Sequence, residues 1–584
     1  KEVTFKINGQ EMTVPEGTTI LEAARQSNID IPTLCYLKDV NEIGACRLCS
    51  VEIEGEKKLI PSCITKVEEG MVVTTNSSRV RGACRTNLEL IMSQHNGKCS
   101  MCTRNGNCHL QALARDFNLL ENPYEEDIPS GKLLEWNAKF PLIRDTTKCI
   151  KCMRCIQVCD KVQNVGVWDL IGTGGRTRVG VAGNRKIEET NCALCGQCIV
   201  QCPVGALRAR DDVDKVLSAL DNPDMTTIVQ IAPAVRSAWG ENLGLPEEKC
   251  SVNHMASALK SLGFNYVFDT CFSADLTIME EGTEFVHRLT TGDLDEYPMF
   301  TSCCPGWVRF IKSHYPQLIG QLSTAKSPQQ MFGATAKSYF ADKIGVSPDK
   351  ICVVSIMPCS AKKSECDIPT MKNTDGIKDV DYVLTTREMC RLFSVENVDV
   401  ANIQPVPFDR LMGDYTGAGV IFGVTGGVME AALRSAAYLV TGHNTEVDAF
   451  MDIRAEDGDN RPWRDAVYDL NGRKVRVAVT SGLRNASRLC EAIIAGEAKY
   501  DFVEIMACPN GCSGGGGQPM HQDDIDRRRE RGKKLYVLDE DNPIRFSHEN
   551  PEIQLLYDDF FGKPLSEKSE SYLHTDHFGW EMPQ

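Results

Sequence analysis

No stretch of this 584-residue chain is long and apolar enough to read as a membrane span. The best candidate, Ala418 to Val440, is interrupted by Glu430, Arg434 and several glycines, and reads as a loop followed by a buried helix. Basic residues are in deficit: 64 Lys and Arg stand against 80 Asp and Glu, a formal net charge of −16. Polyanion binding draws on clustered cations, so nucleic acid is excluded as a partner, and basic redox proteins or cationic patches fit better. No signal-peptide pattern is present and low complexity is confined to Gly514 to Gly517, so a cytoplasmic location is expected. A dinucleotide fingerprint is also missing. GTGGRTRVG at Gly172 lacks the third glycine, and GAGVIFG at Gly417 lacks the spacing. What the chain has in excess is cysteine, 27 in all. Disulfide frameworks belong to small secreted domains, so thiolate ligation of metal in a reducing compartment is the better reading.

The length calls for several cores. From Val3 the sequence alternates through Phe5 and Ile7, turns at Asn8-Gly9 and resumes at Met12 and Val14, a hairpin signal. Thr19 and Glu22 form a capping box ahead of Ile20, Leu21 and Ala24. This resembles a β-grasp, plant-type ferredoxin domain, assigned to residues 1–79. Arg81 to Asp145 read as mainly helical, with a connector near Pro123 to Gly131, and a small helical domain is placed at 80–140. A double ferredoxin-like unit occupies 141–210. From 211 to 584, short apolar strands (Ile228 to Ile231, Ile351 to Ile356, Val475 to Val479, Phe502 to Ile505) alternate with helices, predicting a large α/β domain with a C-terminal tail. The fold class expected is multidomain, α/β and α+β.

The cysteines group by spacing. Cys149, Cys152, Cys155 and Cys159 repeat as Cys192, Cys195, Cys198 and Cys202, followed by Pro203, the spacing of a two-cluster bacterial ferredoxin. In that arrangement the fourth cysteine of each run ligates the other run's cluster. One cubane then takes Cys149, Cys152, Cys155 and Cys202, and the other takes Cys192, Cys195, Cys198 and Cys159. Cys35, Cys46, Cys49 and Cys63 suit a [2Fe-2S] cluster, with zinc as the alternative. His95, Cys99, Cys102 and Cys108 suit a His-ligated [4Fe-4S] cluster; the alternative leaves His95 solvated and completes the site with Cys84 or an external ligand.

Three later segments each carry a cysteine after an apolar strand: PMFTSCCPGW, VSIMPCSAKK and EIMACPNGCSGGGGQP. Ligands gather outside the carboxyl ends of strands in α/β domains, so Cys304, Cys359 and Cys508 can converge on one buried site, with Cys512 as a fourth ligand. The glycines after Cys512 either let backbone approach a bulky cofactor or form a flexible linker. The motifs TSCCPGW, MPCSAKK and MACPNGCSGGGGQP resemble those of [FeFe]-hydrogenases, and the likeness extends over nearly the whole chain. The resemblance implies an H-cluster, a [4Fe-4S] cubane bridged to a two-iron unit carrying CO, cyanide and azadithiolate, held by Cys304, Cys359, Cys508 and the bridging Cys512.

By the same resemblance Cys303 is the proton donor to that centre, Glu281, Ser323 and Glu284 continue the relay, and Arg288 is its outer member. Glu281 and Glu284 are three apart and share a helix face, although EEGTEF would otherwise read as a solvated one. Lys362 donates to a cyanide ligand. Pro233, Gln329, Met357, Phe422 and Met506 line the cavity, or else are ordinary core residues. Ala234 stands where many members carry a cyanide-binding serine, and a donor is lost there. Cys84, Cys250, Cys271, Cys352, Cys366, Cys390 and Cys490 are read as small buried hydrophobes.

The function expected is reversible H2 oxidation and proton reduction, with electrons relayed through one [2Fe-2S] and three [4Fe-4S] clusters. Ferredoxin and NAD(H)- or flavin-binding subunits are the expected partners, with an electron-bifurcating complex favoured over a self-standing ferredoxin hydrogenase; maturation proteins are also implied. A non-catalytic electron-transfer relative and an H2 sensor are the alternatives, and no kinase or PAS-like segment supports sensing. The second cysteine run directly precedes the catalytic domain, so its cubane is expected nearer the H-cluster.

Overall fold

The computed structural model describes residues 1–583 except 125–135, 374, 455–460 and 524, so the connector expected at Pro123 to Gly131 lies outside the described residues from 125 onward. The opening hairpin forms as read. β1 (Glu2–Ile7) pairs antiparallel with β2 (Gln10–Pro15), burying Val3, Phe5 and Ile7, and Asn8 and Gly9 take the positive φ angles (49° and 85°) that a two-residue hairpin turn requires. β3 (Ser50–Ile53), β4 (Ile60–Pro61) and β5 (Val72–Thr74) complete a sheet of order β2-β1-β5-β3-β4. The helix Ile20–Gln26 packs Ile20, Leu21, Ala23 and Ala24 into the same core. Only half of its expected capping box exists. Thr19 accepts from the Glu22 amide at 3.2 Å, but the Glu22 carboxylate turns away to accept from the Tyr36 hydroxyl at 2.7 Å, with Lys38 at 3.3 Å.

Residues 81–145 are less helical than their composition suggests. Helices Ser78–Ser93 and His109–Asp116 form, and the cysteines between them sit in tight turns, because ligand loops need backbone directions a helix cannot supply.

The ferredoxin-like unit carries its repeat in the backbone as well as in the sequence. Lys151 and Leu194 share φ 56°, and Met153 and Gly196 lie at 63° and 71°, each directly before a short helix, Arg154–Gln157 or Gln197–Val200. β6 (Leu142–Arg144) closes on β9 (Leu207–Ala209), and β7 (Trp168–Ile171) on β8 (Arg178–Val181). Gly172 sits in the β7–β8 hairpin loop, so GTGGRTRVG is not a strand-to-helix phosphate turn.

The large domain holds two four-stranded sheets. The first has the order β11-β10-β13-β14, all parallel, from β10 (Thr226–Ile231), β11 (Tyr266–Asp269), β13 (Ile351–Met357) and β14 (Tyr382–Thr385). The second has the order β12-β17-β16-β15, from β12 (Met299–Phe300), β15 (Arg464–Leu470), β16 (Arg473–Ser481) and β17 (Phe502–Met506), with only β15 antiparallel. The Ala418 to Val440 stretch becomes a turn of helix Gly417–Ile421 and the buried helix Gly427–Thr441, and no helix among the described residues is long and apolar enough to cross a membrane.

A charge cluster fastens the C-terminal helix Arg528–Glu540 to this domain. Arg434 bridges Glu430 (2.6 Å) and Asp539 (2.9 Å), Arg454 reaches both, and Arg545 reaches Asp539 at 2.6 Å; Glu430, Arg434 and Asp539 are wholly buried. Breaking such a network strands charge in the interior. Asp539→Ala is therefore expected to cost about 3–5 kcal/mol, read from the unfolding midpoint of cluster-loaded protein. A loss below about 1 kcal/mol, the level of an exposed pair, would show that the cluster contributes as surface charge does.

His548 gives a pH signature. It is buried between Ser435 and Asn444 and stacked on Tyr438, and burial pushes its pKa down to about 4, against an ordinary 6.5. The unfolded chain therefore binds a proton that the folded one refuses between these values. Stability from this residue is complete above pH 6.5 and is lost as pH falls towards 4. Denaturant unfolding across this window is expected to show a shallower pH slope in His548→Gln, and an unchanged slope removes the assignment.

Candidate active site and the cluster cavities leading to it

The three cysteine-bearing strands come from different sheets. Cys304 caps the helix Pro305–His314 just after β12, Cys508 follows β17 in the same sheet, and Cys359 follows β13 in the other. The site therefore lies at carboxyl ends contributed by both sheets. The Ala507 amide points at Cys304 Sγ at 3.4 Å, and the Cys359, Cys508, Cys512 and Cys304 sulfurs lie within electrostatic reach of one another. Burial raises Cys359 to about 11 and Cys508 and Cys512 higher still. Three such thiols beside Cys304 ionise together only against metal charge, so this donor set fits a thiolate-held cluster.

The glycine run is tightly packed and not a flexible linker. A Cβ at Gly515 would meet Pro358 O at 2.2 Å, at Gly517 the Cys359 amide at 2.8 Å, and at Gly516 Cys195 O at 2.5 Å. These glycines press backbone against backbone, bringing the Cys512 loop onto the Cys359 loop and onto the ferredoxin-like unit. Arg387 clamps the run by donating to the Gly516 and Gln518 carbonyls.

The relay residues assemble only in part. Glu281 and Glu284 share the inner face of the long helix Thr270–Thr291, 0% and 6% exposed, so the solvated-face alternative fails. Ser323 Oγ donates to Glu284 at 2.8 Å, the Thr324 amide donates to the same carboxylate, and Arg288 pairs with it at 2.6 Å. Glu281 lies within reach of the Ser323 hydroxyl and the Ser302 amide without a well-formed bond to either. Both of its oxygens are buried without a hydrogen-bond partner, and burial, with Glu284 adding, pushes its pKa up to about 8. Cys303 is also raised well above the thiol range, by burial first and then by Glu281 and Cys304.

Lys362 Nζ donates to the Cys303 carbonyl (3.1 Å) and to both oxygens of Glu365 (3.0 Å), so the protein itself already occupies donors that were expected to face a ligand. Burial opposes its charge, yet Glu365 raises its pKa above the ordinary lysine value. Glu365 also accepts from Ser327 (2.9 Å) and Gln329 (3.0 Å), while Gln329 Oε1 is left without a partner. Sequence reading missed Glu365, although its i,i+3 spacing from Lys362 was visible. It also missed Arg236, whose bonds to Asp269 (2.7 Å), Cys271 (3.0 Å) and the Pro233 carbonyl (3.1 Å) fix the turn Pro233–Ser237. Ala234 in that turn is fully buried and its carbonyl accepts from Gln518 at 2.8 Å. Phe422 and Met506 belong to the apolar cluster against which Cys303 and Cys304 pack, while Met357 ends β13 in the first sheet's core. Of the cysteines left unassigned, Cys250 is half-buried, not buried, and its thiol faces the Pro246 carbonyl at 3.3 Å.

Two small pockets of similar size lie in the ferredoxin-like unit. Cys149, Cys152, Cys155 and Cys202 line the first, and Cys159, Cys192, Cys195 and Cys198 the second, the crossed grouping expected. Trp168 lines both. The second cavity abuts the active site: Cys508 Sγ lies 3.6 Å from the Cys195 carbonyl, Ser360 Oγ donates to Leu194 O at 2.7 Å, and Gln197 donates to Gly514 O at 2.9 Å. The expected order of the two cubane sites thus holds. Around the first cavity, Asn41 donates to both Cys35 O (2.7 Å) and Cys152 O (2.9 Å), joining it to the N-terminal site. In that site Cys49 and Cys63 lie 3.3 Å apart, and the Cys46 amide faces Cys35 Sγ.

His95 is 8% exposed, and its Nδ1 lies 3.0 Å from the Lys148 carbonyl. A carbonyl only accepts, so Nδ1 carries the proton and Nε2 is left able to ligate; its burial removes the solvated reading of His95. Cys102 packs so closely on Gly205 that a Cβ there would sit 2.3 Å from its sulfur, Cys108 reaches Pro203 O at 3.7 Å, and Cys99 starts the turn before Cys102. Cys84 instead donates to Leu48 O at 3.1 Å.

Buried thiols gathered at strand ends, thiol-lined cavities leading to them and a carboxylate–hydroxyl chain leading away define an iron–sulfur oxidoreductase that handles protons. The chain belongs to the iron-only hydrogenases: residues 225–516 match the "Iron only hydrogenase large subunit, C-terminal domain" family and 525–580 the "Iron hydrogenase small subunit" family. Residues 1–78 match a 2Fe-2S cluster binding domain, 85–123 the NADH-ubiquinone oxidoreductase-G iron-sulfur binding region, and 148–206 a 4Fe-4S dicluster domain. It is 47% identical to the NADP-reducing hydrogenase subunit HndD of Solidesulfovibrio fructosivorans, over 99% of each chain. Against iron hydrogenase 1 of Clostridium pasteurianum the identity is 38%, over 98% of this chain and 99% of that one. The solved apo [FeFe]-hydrogenase HydA1 of Chlamydomonas reinhardtii superposes with a TM-score of 0.56 at 40% identity, covering 64% of this chain and 99% of that one. The protein is a hydrogenase whose catalytic domain is fed by [2Fe-2S] and [4Fe-4S] domains.

Glu365 holds Lys362 from behind, and partners of that kind typically contribute 10- to 100-fold to a site's activity. Glu365→Gln is expected to lower H2 evolution by roughly tenfold with iron content intact. An unchanged rate would show that Lys362 needs no anchor.

Proposed function

We propose that Cys304, Cys359, Cys508 and Cys512 hold an H-cluster, with Cys512 as the bridging thiolate, and that Cys303, Glu281, Ser323, Glu284 and Arg288 carry protons between it and solvent. Cys35, Cys46, Cys49 and Cys63 hold a [2Fe-2S] cluster. His95, Cys99, Cys102 and Cys108 hold one [4Fe-4S] cluster, and the two crossed cysteine sets hold two more. The four units at 1–79, 80–140, 141–210 and 211–584 are then a plant-type ferredoxin domain, a His-ligated cluster domain, a bacterial-type ferredoxin domain and the H-cluster domain.

When bound, the H-cluster supplies heterolysis of H2 at an open iron beside an amine. The chain's own residues do the rest. The supporting observation is the convergence of the four buried thiols beside Cys303, with Glu281 between it and the Ser323–Glu284–Arg288 chain. Cys303 Sγ passes the proton; Glu281, whose two oxygens have no other partner, takes it and hands it to the Ser323 hydroxyl; Glu284 accepts it and Arg288 holds that carboxylate at the outer end. Lys362 and Gln329, both tied to Glu365, keep a cation and an amide beside Cys303.

For the electron partner, the likeness to a subunit of an NADP-reducing hydrogenase supports a pyridine nucleotide as final acceptor. This chain's glycine motifs are a hairpin loop and a helix packed on Cys271, so the nucleotide and its flavin belong to another subunit. Ferredoxin serves as a second acceptor in an electron-bifurcating assembly in the cytoplasm, and maturation proteins install the two-iron unit.

Cys303→Ala is expected to keep its iron and lose about 10²- to 10⁴-fold of viologen-dependent H2 evolution, the usual worth of a positioned proton donor. Retained turnover removes Cys303 from the relay, and a loaded wild-type protein without turnover leaves only electron transfer.

A further inference from the structure

The two cubane cavities of the ferredoxin-like unit are matched in ligands and size but not in charge. Arg144 ends β6 and lines the first cavity, with its guanidinium over Trp168 at 5.5 Å. Its NH2 is buried and has no hydrogen-bond partner. Arg104, two residues after Cys102 and 3% exposed, donates one NH2 bond to His521 O at 3.3 Å, while its Nε and NH1 are buried without partners. Its stem runs beside Gly205, between the Cys102 and Cys202 segments. A guanidinium cannot shed its charge, and buried N–H groups left without acceptors are costly. Arg144 faces that cavity directly, and Arg104 lies beside its Cys202 corner, within reach also of Cys102 and Cys108; their unmade donors need acceptors, and cluster sulfur there would provide them.

The second cavity is lined by no Lys or Arg side chain. Its one unpartnered buried donor is the neutral amide of Gln163, whose Oε1 already accepts from Leu483 N at 3.1 Å. Arg309, outside the lining, gives its Nε to the Cys192 carbonyl at 2.9 Å and its charge reaches that cysteine alone of the four.

We propose that Arg144 and Arg104 are charge-compensating donors to the cubane held by Cys149, Cys152, Cys155 and Cys202, and that they set its reduction potential above that of its neighbour. Reduction adds negative charge to a cluster, and a fixed cation favours the more negative state. Electrons leaving the active site then run downhill from the Cys159/Cys192/Cys195/Cys198 cubane to this one. The first cubane adjoins both the N-terminal and the His95 sites, so electrons collect there before dividing.

The inference rests on the ligand sets proposed above, and the two can fail separately. Full iron content in Cys155→Ala would overturn the ligand set. The inference itself is tested by EPR-monitored redox titration of the loaded enzyme. Arg144→Leu and Arg104→Leu, made separately so that one unstable variant does not decide the matter, are each expected to lower the reduced-to-oxidised ratio of one cubane roughly tenfold at its wild-type midpoint, 59 mV for a one-electron couple. Arg144→Lys, which keeps the charge, restores most of the ratio, whereas Gln163→Leu moves only the other cubane, and by less. Midpoints unchanged in both leucine variants, with iron content intact, overturn the proposal. So does an equal shift of both cubanes.

Discussion

A thiol removed from water holds its proton, and this protein gathers such thiols in its ferredoxin-like unit and at its strand ends. They ionise together only against positive charge brought into the same space, so the folded chain and its metal are thermodynamically one object. The rest of the architecture follows from that constraint. Ligand loops are kept short and backbone-rigid, left-handed residues recur at matched places in both ferredoxin-like runs, and glycines are spent where two ligand loops must touch. All 27 cysteines are free, which is the state such a structure needs.

The same constraint explains how the domains meet. Contacts between units are made by backbone carbonyls of proposed ligands or of their chain neighbour: Cys35 O and Cys152 O share Asn41, Lys148 O takes His95, and Cys195 O faces Cys508. Docking through the ligand loops brings the redox centres as near as the chain allows. Gly196 marks the cost in sequence freedom. Its counterpart in the repeat is Met153, but a Cβ at 196 would meet Gly516 at 2.8 Å, so only the run facing the catalytic domain must be glycine there.

Much of this was legible in the residues themselves. Cysteine spacing is local, so the ferredoxin-like ligand groups, their crossing and their order along the chain could be read directly. Asn8-Gly9 announced its hairpin and the α/β strands their positions. What could not be read depends on tertiary placement. Glu22 looked like half of a capping box until Tyr36 claimed its carboxylate. The stretch from Arg81 to Asp145 had helical composition, yet its cysteines demanded turns. Cys304 and Cys508 share a sheet that Cys359 does not, and nothing in three similar strand ends distinguishes them. Glu365 and Arg236 act by holding other residues, and their partners are named only by the fold.

One feature of the relay concerns the order in which it is built. The Ser323 carbonyl accepts from His577 Nε2 at 2.8 Å, the Thr324 carbonyl from the Thr575 amide, and the Lys326 amide donates to Leu573 O, so the segment carrying the relay hydroxyl is laced to residues some 250 positions downstream. During synthesis the thiol cradle loses its last missing member when Cys512 emerges, but the hydroxyl gains its backbone support only after His577 has left the ribosome. The segment carrying Ser323 therefore takes its native backbone bonds only once residues 573–577 are folded against it.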